Sequence, residues 1–233
     1  MRHMGRLIVI DNPLAKYYLT LLRKPGTTPG LFREYMRKLG FIMGYEVSRL
    51  LEWGRVFVDS DHGRAEGFYP YKPVYIIGVL GASIPFTHGL WDAIPWAGLG
   101  LVAARRVISE NRVDTEIYYE RIPSSLTAYT VIVVDPTLAT GRTMARVVEE
   151  VRARGGGRII AATVLASRYG VEYFHSRFSE IPLLAIEVDP VLDKNYFITP
   201  GIGDAGDRSL SADMAFEPRL GLGFNEPRED RVE

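Results

Sequence analysis

The stretch that decides the fold of this chain is V-I-V-V-D-P-T-L-A-T-G-R-T, residues Val131–Thr143. Its first four residues are all β-branched, which is typical of a short strand buried on both faces of a sheet. Asp135-Pro136 ends that strand, because proline fixes φ and supplies no ladder donor. Gly141 supplies the freedom for a tight turn, and from Thr143 onward apolar residues recur at helical spacing. Those apolar residues are Met144, Val147, Val148 and Val151.

The order strand, acidic residue, small-residue loop and helix favours the binding of a sugar phosphate. A helix N-terminus presents unpaired N–H groups and roughly half a unit of positive charge. Small residues allow a phosphate to approach this backbone, and the hydroxyls of Thr137, Thr140 and Thr143 add donors. At the strand end, Asp135 is placed to meet sugar hydroxyls or a hydrated Mg²⁺. The chain contains no G-x-x-x-x-G-K-[ST] motif, and no G-x-G-x-x-G opens this helix, so neither a P-loop nor a dinucleotide fingerprint is predicted here.

Composition narrows the class of protein. The 28 basic residues balance 28 acidic ones, which gives no support for binding to nucleic acid or to an anionic membrane. There is no cysteine, and the four histidines are scattered, so disulfides, thiolate chemistry and a structural zinc site are not expected. No apolar run approaches the ~18 residues of a membrane helix, and the N-terminus lacks a signal-peptide layout. We expect a cytoplasmic protein of one domain.

Five apolar runs predict the strands of a mainly parallel sheet, with helices between them covering both faces, as in an α/β fold. The runs are 74–80, 97–103, 131–134, 158–165 and 183–188. Helices are predicted around 86–93, from 143, and near 169–178. Gly155-Gly156-Gly157 is a strong stop signal for the second of these helices.

The flanking segments are expected to be less regular. A short strand at 7–10 precedes two amphipathic helices, which begin at Asn12-Pro13 and Thr28-Pro29. Residues 52–73 are turn-rich and predict a loop or a peripheral hairpin. Residues 107–128 are polar and predict an excursion over the site. From about residue 218 the composition is typical of a loose tail.

Two separated motifs give the chain a family resemblance. D-P-T-L-A-T-G-R-T, from Asp135, resembles the phosphoribosyl-pyrophosphate (PRPP) loop of the type I phosphoribosyltransferases, and its D-P-x-L-A-T-G form resembles that of the uracil phosphoribosyltransferases. Y-F-I-T-P-G-I-G-D-A-G-D-R, residues Tyr196–Arg208, is similar to the uracil-binding segment of the same family. The segments N-P-L-A, L-F-R-E-Y-M-R and G-Y-E-V are similar to its N-terminal arm, which contributes to the subunit interface. Alternatively, the apolar stripes of this arm cover the chain's own sheet.

The resemblance implies a type I phosphoribosyltransferase fold with a helical arm (1–50), a core (74–190), a base-binding segment (191–217) and a tail (218–233). It implies a Mg²⁺-dependent glycosyltransferase (a pentosyltransferase) that converts uracil and PRPP to UMP and pyrophosphate, in pyrimidine salvage. It also implies a homodimer or a higher homo-oligomer. The protein itself is expected to provide no metal ligands, because Mg²⁺ is held mainly through PRPP and water.

The same resemblance assigns roles to individual residues. The expected PRPP-binding residues are Arg105, Asp135, Pro136, Thr137, Leu138, Ala139, Thr140, Gly141, Arg142 and Thr143. The backbones of Ile198 and Gly203 are expected to contact the uracil edge, with Asp204 near the base. Asp135, Arg105 and Asp204 are the expected catalytic residues. Asp207-Arg208 is expected either to form an ion pair that closes the loop or to contact the substrate.

The sequence departs from the family pattern at three places. Leu80-Gly81-Ala82-Ser83 stands where the family has L-R-A-G, so Gly81 replaces an arginine that faces pyrophosphate, and Arg106 and Arg142 are candidates to replace it. Phe197 replaces a tyrosine, and S-L-S-A-D at 209–213 replaces a closing F-G-T-K. Two alternatives to the uracil enzyme therefore stay open: a non-catalytic relative that binds PRPP or a nucleotide as a sensor or regulator, and a phosphoribosyltransferase for another base.

Overall fold

The computed structural model describes residues 7–109 and 112–212, apart from the side chains of residues 106, 108, 109 and 112–114. In the N-terminal half the elements are β1 (Leu7–Val9), α1 (Pro13–Arg23), α2 (Pro29–Ser48), β2 (Trp53–Ser60), β3 (Gly63–Pro70), β4 (Val74–Val79), α3 (Ile84–Ala93), β5 (Gly98–Ser109) and β6 (Arg112–Arg121). The C-terminal half contains β7 (Thr130–Val134), β8 (Thr137–Leu138), α4 (Arg142–Ala153), β9 (Arg158–Ser167), α5 (Arg168–Arg177), β10 (Leu183–Asp189), β11 (Val191–Leu192), β12 (Ile198–Thr199) and α6 (Ala205–Leu210). The predicted tail, 218–233, lies outside the described residues.

A central sheet organises these elements in the order β1-β10-β9-β7-β4-β5-β6, with β8 paired to β9. Every pair in it is parallel except β5–β6. The five predicted core strands, β4, β5, β7, β9 and β10, are adjacent at its centre. The predicted α/β class with a mainly parallel sheet is confirmed, and the edge strands β1 and β6 make the sheet wider than the five-stranded core.

The alternation of side chains along β7 explains why helices cover both faces of the sheet. All five residues of β7 are buried. Ile132 belongs to one apolar cluster with α1, α2 and α3, whereas Val131 and Val133 belong to another with α4 and α5. Since successive side chains of a strand point to opposite faces, each face of the sheet needs its own layer of helices.

The N-terminal helices begin where their caps predict. The Asn12 side chain accepts hydrogen bonds from the N–H groups of Leu14 and Ala15, and Thr28 caps α2 through the N–H of Leu31. The apolar stripe of α2 is fully buried in the same cluster as Ile132. Its members are Phe32, Met36, Leu39 and Met43. This stripe therefore covers the chain's own sheet, as the alternative interpretation of the arm proposed.

Two hairpins lie at the periphery of the core. β2 and β3 form a separate antiparallel sheet, which confirms the hairpin option for residues 52–73. β6 pairs with β5 along its whole length, so much of the predicted excursion at 107–128 extends the main sheet. Because Val79, the last residue of β4, pairs with Val102, the outer part of the β5–β6 hairpin continues past the carboxyl end of β4. Within the described residues, no helix combines the length and apolarity needed to span a bilayer.

Candidate active site

The predicted phosphate loop begins as an ordered extension of the sheet. The N–H of Asp135 donates to the carbonyl of Ala162 at 3.1 Å, and the carbonyl of Pro136 accepts from the N–H groups of Val164 and Leu165, both at 3.1 Å. Thr137–Leu138 then pair with β9 as the short strand β8. The sequence predicted an irregular loop here. The structure differs because Pro136, although it has no donor, still has a carbonyl that connects the chain to β9.

A left-handed turn connects β8 to α4. Gly141 has φ of 74°, and a Cβ at this position would lie 2.7 Å from the carbonyl oxygen of Gly170. The helix begins at Arg142, one residue before its predicted start, and the N–H of Arg142 makes a long hydrogen bond, 3.5 Å, to Oγ1 of Thr140. The next N–H groups, those of Thr143 and Met144, have no hydrogen-bond partner among the described residues and remain available to an anion. This arrangement can hold a phosphate group.

Asp135 lies at the carboxyl end of β7 and is half-buried. Desolvation raises the pKa of its carboxyl to about 7, and the N–H of Thr137, which donates to Oδ1 at 3.4 Å, opposes this rise only in part. A carboxyl poised near neutral pH becomes a carboxylate when a cation or hydroxyl donors approach. Its position and its pKa both suit contact with ribose hydroxyls or a hydrated metal ion.

The structure brings the two separated motifs together around one cleft of about 170 Å³. Its lining residues are Ala82, Thr137, Ala139, Leu165, Tyr196, Phe197, Ile198, Ile202, Gly203, Asp204, Ala205 and Gly206. Thr137 and Ala139 come from the phosphate loop, and residues 196–206 come from the predicted base-binding segment. A ligand in this cleft would therefore contact both motifs at once.

Residues Ile198–Asp204, which we call the base loop, contribute Ile198, Ile202, Gly203 and Asp204 to the lining of this cleft. Ile198 pairs with Leu192 in the β11–β12 ribbon. Gly203 has φ of 70°, and its N–H and carbonyl have no hydrogen-bond partner among the described residues. The carboxylate of Asp204 caps α6, where Oδ1 accepts from the N–H of Asp207 at 2.9 Å. Asp204 is exposed beside the cleft and has a structural role as well.

Arg208 does not form the predicted ion pair with Asp207. Its guanidinium instead donates to the carbonyls of Ile202, Leu22 and Lys24. Burial lowers the pKa of this guanidinium. The ion-pair alternative is wrong because the carbonyls of Leu22, Lys24 and Ile202, rather than the neighbouring carboxylate, accept from the guanidinium, while the substrate-contact alternative stays a prediction.

The two described arginines that were expected to bind PRPP, Arg105 and Arg142, contact other residues of the protein. Nε and Nη2 of Arg105 both lie 2.8 Å from Oε2 of Glu116, its cross-strand neighbour on β6, and its side chain is 64% exposed. Arg142 lies over the ring of Tyr173 at 5.1 Å. Neither residue lines the cleft. The side chain of Arg106 lies outside the described residues.

Several residues of the site were not predicted from the sequence. Leu165 lines the cleft but belongs to an ordinary apolar run and gives no local signal, whereas Ala82 lies in the L-G-A-S segment, for which only a role of Gly81 was considered. Asp189 is bonded to the base loop through the N–H of Gly201. A carboxylate directly after the apolar run 183–188 could have indicated this role, because strand ends of a parallel sheet meet at the edge that binds ligands.

Comparisons with known proteins agree with this geometry. The family model described as "Uracil phosphoribosyltransferase" matches residues 9–211. The uracil phosphoribosyltransferase of Aeropyrum pernix is 41% identical over 209 residues, which cover 89% of this chain and 97% of that protein. The uracil phosphoribosyltransferase of Pyrobaculum islandicum is 41% identical over 206 residues, which cover 87% of this chain and 98% of that protein. The solved structure of the AQ2163 protein from Aquifex aeolicus matches with a TM-score of 0.81 at 25% identity, over 89% of this chain and 99% of that chain. The chain belongs to the uracil phosphoribosyltransferase family, and is thus a glycosyltransferase enzyme.

Proposed function

We propose that the protein transfers the phosphoribosyl group of PRPP to uracil, forming UMP and pyrophosphate in pyrimidine salvage. The observation that carries this proposal is the single cleft lined by both the phosphate loop and the base loop. In the reaction, the bond from ribose C1′ to the pyrophosphate oxygen breaks and the bond from C1′ to uracil N1 forms. The N1 proton is released, and the pyrophosphate leaves with its electron pair.

The loop Pro136–Thr143 would bind the 5′-phosphate of PRPP. The open N-terminus of α4 supplies backbone donors, and Thr137, Thr140 and Thr143 supply hydroxyls. Gly141 permits the close approach of the phosphate to the backbone. Asp135, one step outside this loop, would accept hydrogen bonds from the ribose hydroxyls.

Uracil would be recognised mainly by main-chain groups. The backbone of Gly203, which is unpartnered among the described residues, and that of Ile198 can match alternating donors and acceptors on the base edge. A base with the wrong pattern leaves a buried polar group unpaired, which costs about 1–3 kcal/mol per group. Asp204 would act beside the base, directly or through water.

Charge neutralisation at the leaving group would provide much of the catalysis, because bond breaking runs ahead of bond making. Arg105 would leave Glu116 and bind pyrophosphate. Bound Mg²⁺ would neutralise negative charge on the substrate oxygens. The described residues contain no group of three or more metal-ligating side chains, and Asp135 offers one carboxylate, a donor set that suits a cation held mainly by substrate oxygens and water.

We further propose that the enzyme acts in the cytoplasm as a homodimer or a higher homo-oligomer, with arm, core and base-binding segment in one domain. Exposed apolar side chains on the β2–β3 hairpin, including Phe57 and Phe68, support an association between subunits. An isolated two-stranded hairpin is marginally stable in water, so a contact with another subunit would stabilise it.

The test is UMP formation from uracil, PRPP and Mg²⁺ by the wild-type protein and by Asp135→Asn. Product that requires Asp135 supports the proposal. Because Gly81 stands where the family has an arginine, the same experiment must also distinguish two alternative functions. Thermal stabilisation by PRPP without turnover of any base would favour a binding protein, and turnover of a different base alone would favour another specificity.

A further inference from the structure

The base loop is held by side chains that lie outside the cleft. Gly201 lies between Ile198 and Gly203, and both of its backbone polar groups are hydrogen-bonded. Its N–H donates to Oδ2 of Asp189 at 2.8 Å, and its carbonyl accepts from Nη1 of Arg23 at 2.7 Å. Since these groups are committed to Asp189 and Arg23, the role of Gly201 is to fix the loop rather than to bind the base.

Arg23 and Asp189 join the last residue of α1 to the last residue of β10. Nη1 lies 2.8 Å from Oδ2, and Nη2 lies 2.7 Å from Oδ1, so the pair is bidentate. The Asp189 side chain is only 5% exposed. Burial opposes its ionisation, but hydrogen bonds from Arg23 and from the Gly201 N–H outweigh burial and lower the pKa of the carboxyl. One planar guanidinium thus contacts a carboxylate and a loop carbonyl together, which a lysine ammonium does not reproduce.

The next carbonyl of the loop is held to the same helix end. Nη1 of Arg208 donates to the carbonyl of Ile202 at 2.7 Å, and Nη2 donates to that of Lys24 at 2.6 Å. The guanidinium also lies 4.6 Å from the ring centroid of Phe32 on α2. Two consecutive loop carbonyls are therefore connected by arginines to the carboxyl end of α1.

The conformation of Gly201 transmits this restraint to both sides of the loop. Gly201 has φ of 64°, and a Cβ there would lie 1.9 Å from the carbonyl oxygen of Ile198. The loop therefore turns back on Ile198 with no spare space. A shift of Gly201 would move Ile198 and Gly203 together.

We propose that Arg23, acting through Asp189 and Gly201, is a positioning residue that sets the spacing of the uracil-recognising backbone groups. The end of α1 thereby governs affinity for the base. This inference rests on the proposed function, since it takes Ile198 and Gly203 as the groups that contact uracil. The phosphate loop is connected to β9 instead, so affinity for PRPP does not depend on Arg23.

The test compares Arg23→Gln with Lys16→Gln. Lys16 lies on the same helix and also pairs with β10, through Glu187 at 2.7 Å and the carbonyl of Ile186 at 2.6 Å, but it does not touch the base loop. We expect Arg23→Gln to raise KM for uracil about tenfold or more, with KM for PRPP changed less than about twofold. Lys16→Gln should leave both constants unchanged. Arg23→Lys, which keeps the charge, should fold with the wild-type Tm and still raise KM for uracil.

Equal changes in both KM values, or the same change in Lys16→Gln, would overturn the inference, because they indicate general loosening of α1. Amide hydrogen exchange at Gly201, whose N–H donates to Asp189, tests the inference without requiring turnover. We expect exchange at this amide to be about tenfold faster or more in Arg23→Gln, and unchanged in Lys16→Gln. Unchanged exchange in Arg23→Gln overturns the inference even if UMP forms. Failure of the wild type to form UMP, with exchange altered as expected, counts against the proposed function only.

Discussion

The two ends of the candidate site are built differently. At the base end, Asp189, Arg23 and Arg208 hold the base loop through hydrogen bonds that are largely removed from water. At the end where pyrophosphate is proposed to bind, Gly81 carries no side chain, and Arg105 is exposed and paired with Glu116. An exposed ion pair of this kind contributes little to stability, so it can be exchanged for a bond to the substrate. Under the proposed function, the groups that would recognise the base are held in place beforehand, whereas Arg105 would have to leave Glu116 before it could bind pyrophosphate.

The largest loss of activity is expected from a substitution at Gly201, where the base loop leaves no room for a side chain. Gly201→Ala places a Cβ 1.9 Å from the Ile198 carbonyl at a residue with φ of 64°. Displacement of the loop by about 1 Å should lower kcat/KM for uracil on the order of 100-fold. Gly26→Ala is the control, since nothing lies within 4 Å of its Cβ position. Steady-state kinetics with each substrate varied would measure the effect, and near wild-type kcat/KM in Gly201→Ala would refute a rigid base end.

Asp135→Asn should lower kcat/KM for PRPP at least about tenfold, because an amide replaces the carboxylate that meets ribose hydroxyls. With the pKa of Asp135 raised to about 7, wild-type kcat/KM should increase as pH rises from about 6 to about 8. This limb should be absent in the variant. A profile with the same limb in both proteins would assign it to another group.

The raised pKa of Asp135 makes the stability of the fold change with pH in the opposite direction to activity, falling as the pH rises. In the unfolded chain the carboxyl ionises near pH 4, whereas in the folded protein it holds its proton to about pH 7. The stabilising contribution of Asp135 is therefore present at low pH and is lost as the pH rises through this window. Denaturant melts across the window should show this decline in the wild type and less of it in Asp135→Asn. Parallel curves would contradict the raised pKa.

Arg105→Ala tests the end of the site where pyrophosphate is proposed to bind. If Arg105 binds pyrophosphate as proposed, losing this charged hydrogen bond costs about 1.5–3 kcal/mol, so kcat/KM should fall roughly 10- to 150-fold. Arg55→Ala is a matched control, because Arg55 also pairs with a glutamate, Glu66, across an exposed antiparallel hairpin. It should leave the kinetics unchanged. Equal rates in the two variants would remove Arg105 from the catalytic residues.

The smallest effect is expected for Gly81→Arg, which restores the family's arginine. Gly81 has φ of 103°, a conformation that costs a residue with a side chain about 1–2 kcal/mol, so Tm should fall by a few degrees. We expect kcat/KM to change less than about threefold, since Arg105 already provides a charge. A gain of about tenfold would show instead that the leaving-group end lacks a cation that the substrate needs.

The core of the fold and both motifs could be predicted from sequence because their signals are local. A run such as 131–134 has only one stable place in an α/β protein, at the centre of the sheet. Asn12 and Thr28 start helices through hydrogen bonds to residues two or three positions away. The small residues and threonines of the loop before α4 indicate a phosphate site for the same reason, since they act on the adjacent backbone.

The amino-acid sequence by itself determined the strand periodicity and the starts of α1 and α2, and it indicated a phosphate site before α4. Only the tertiary structure decided which partners the arginines choose. Arg23 and Asp189 are 166 positions apart, and Arg208 bonds to carbonyls of α1 rather than to the adjacent Asp207. A guanidinium hydrogen-bonds to whatever acceptors packing brings within its reach, so its role depends on the completed fold and not on its neighbours in the chain.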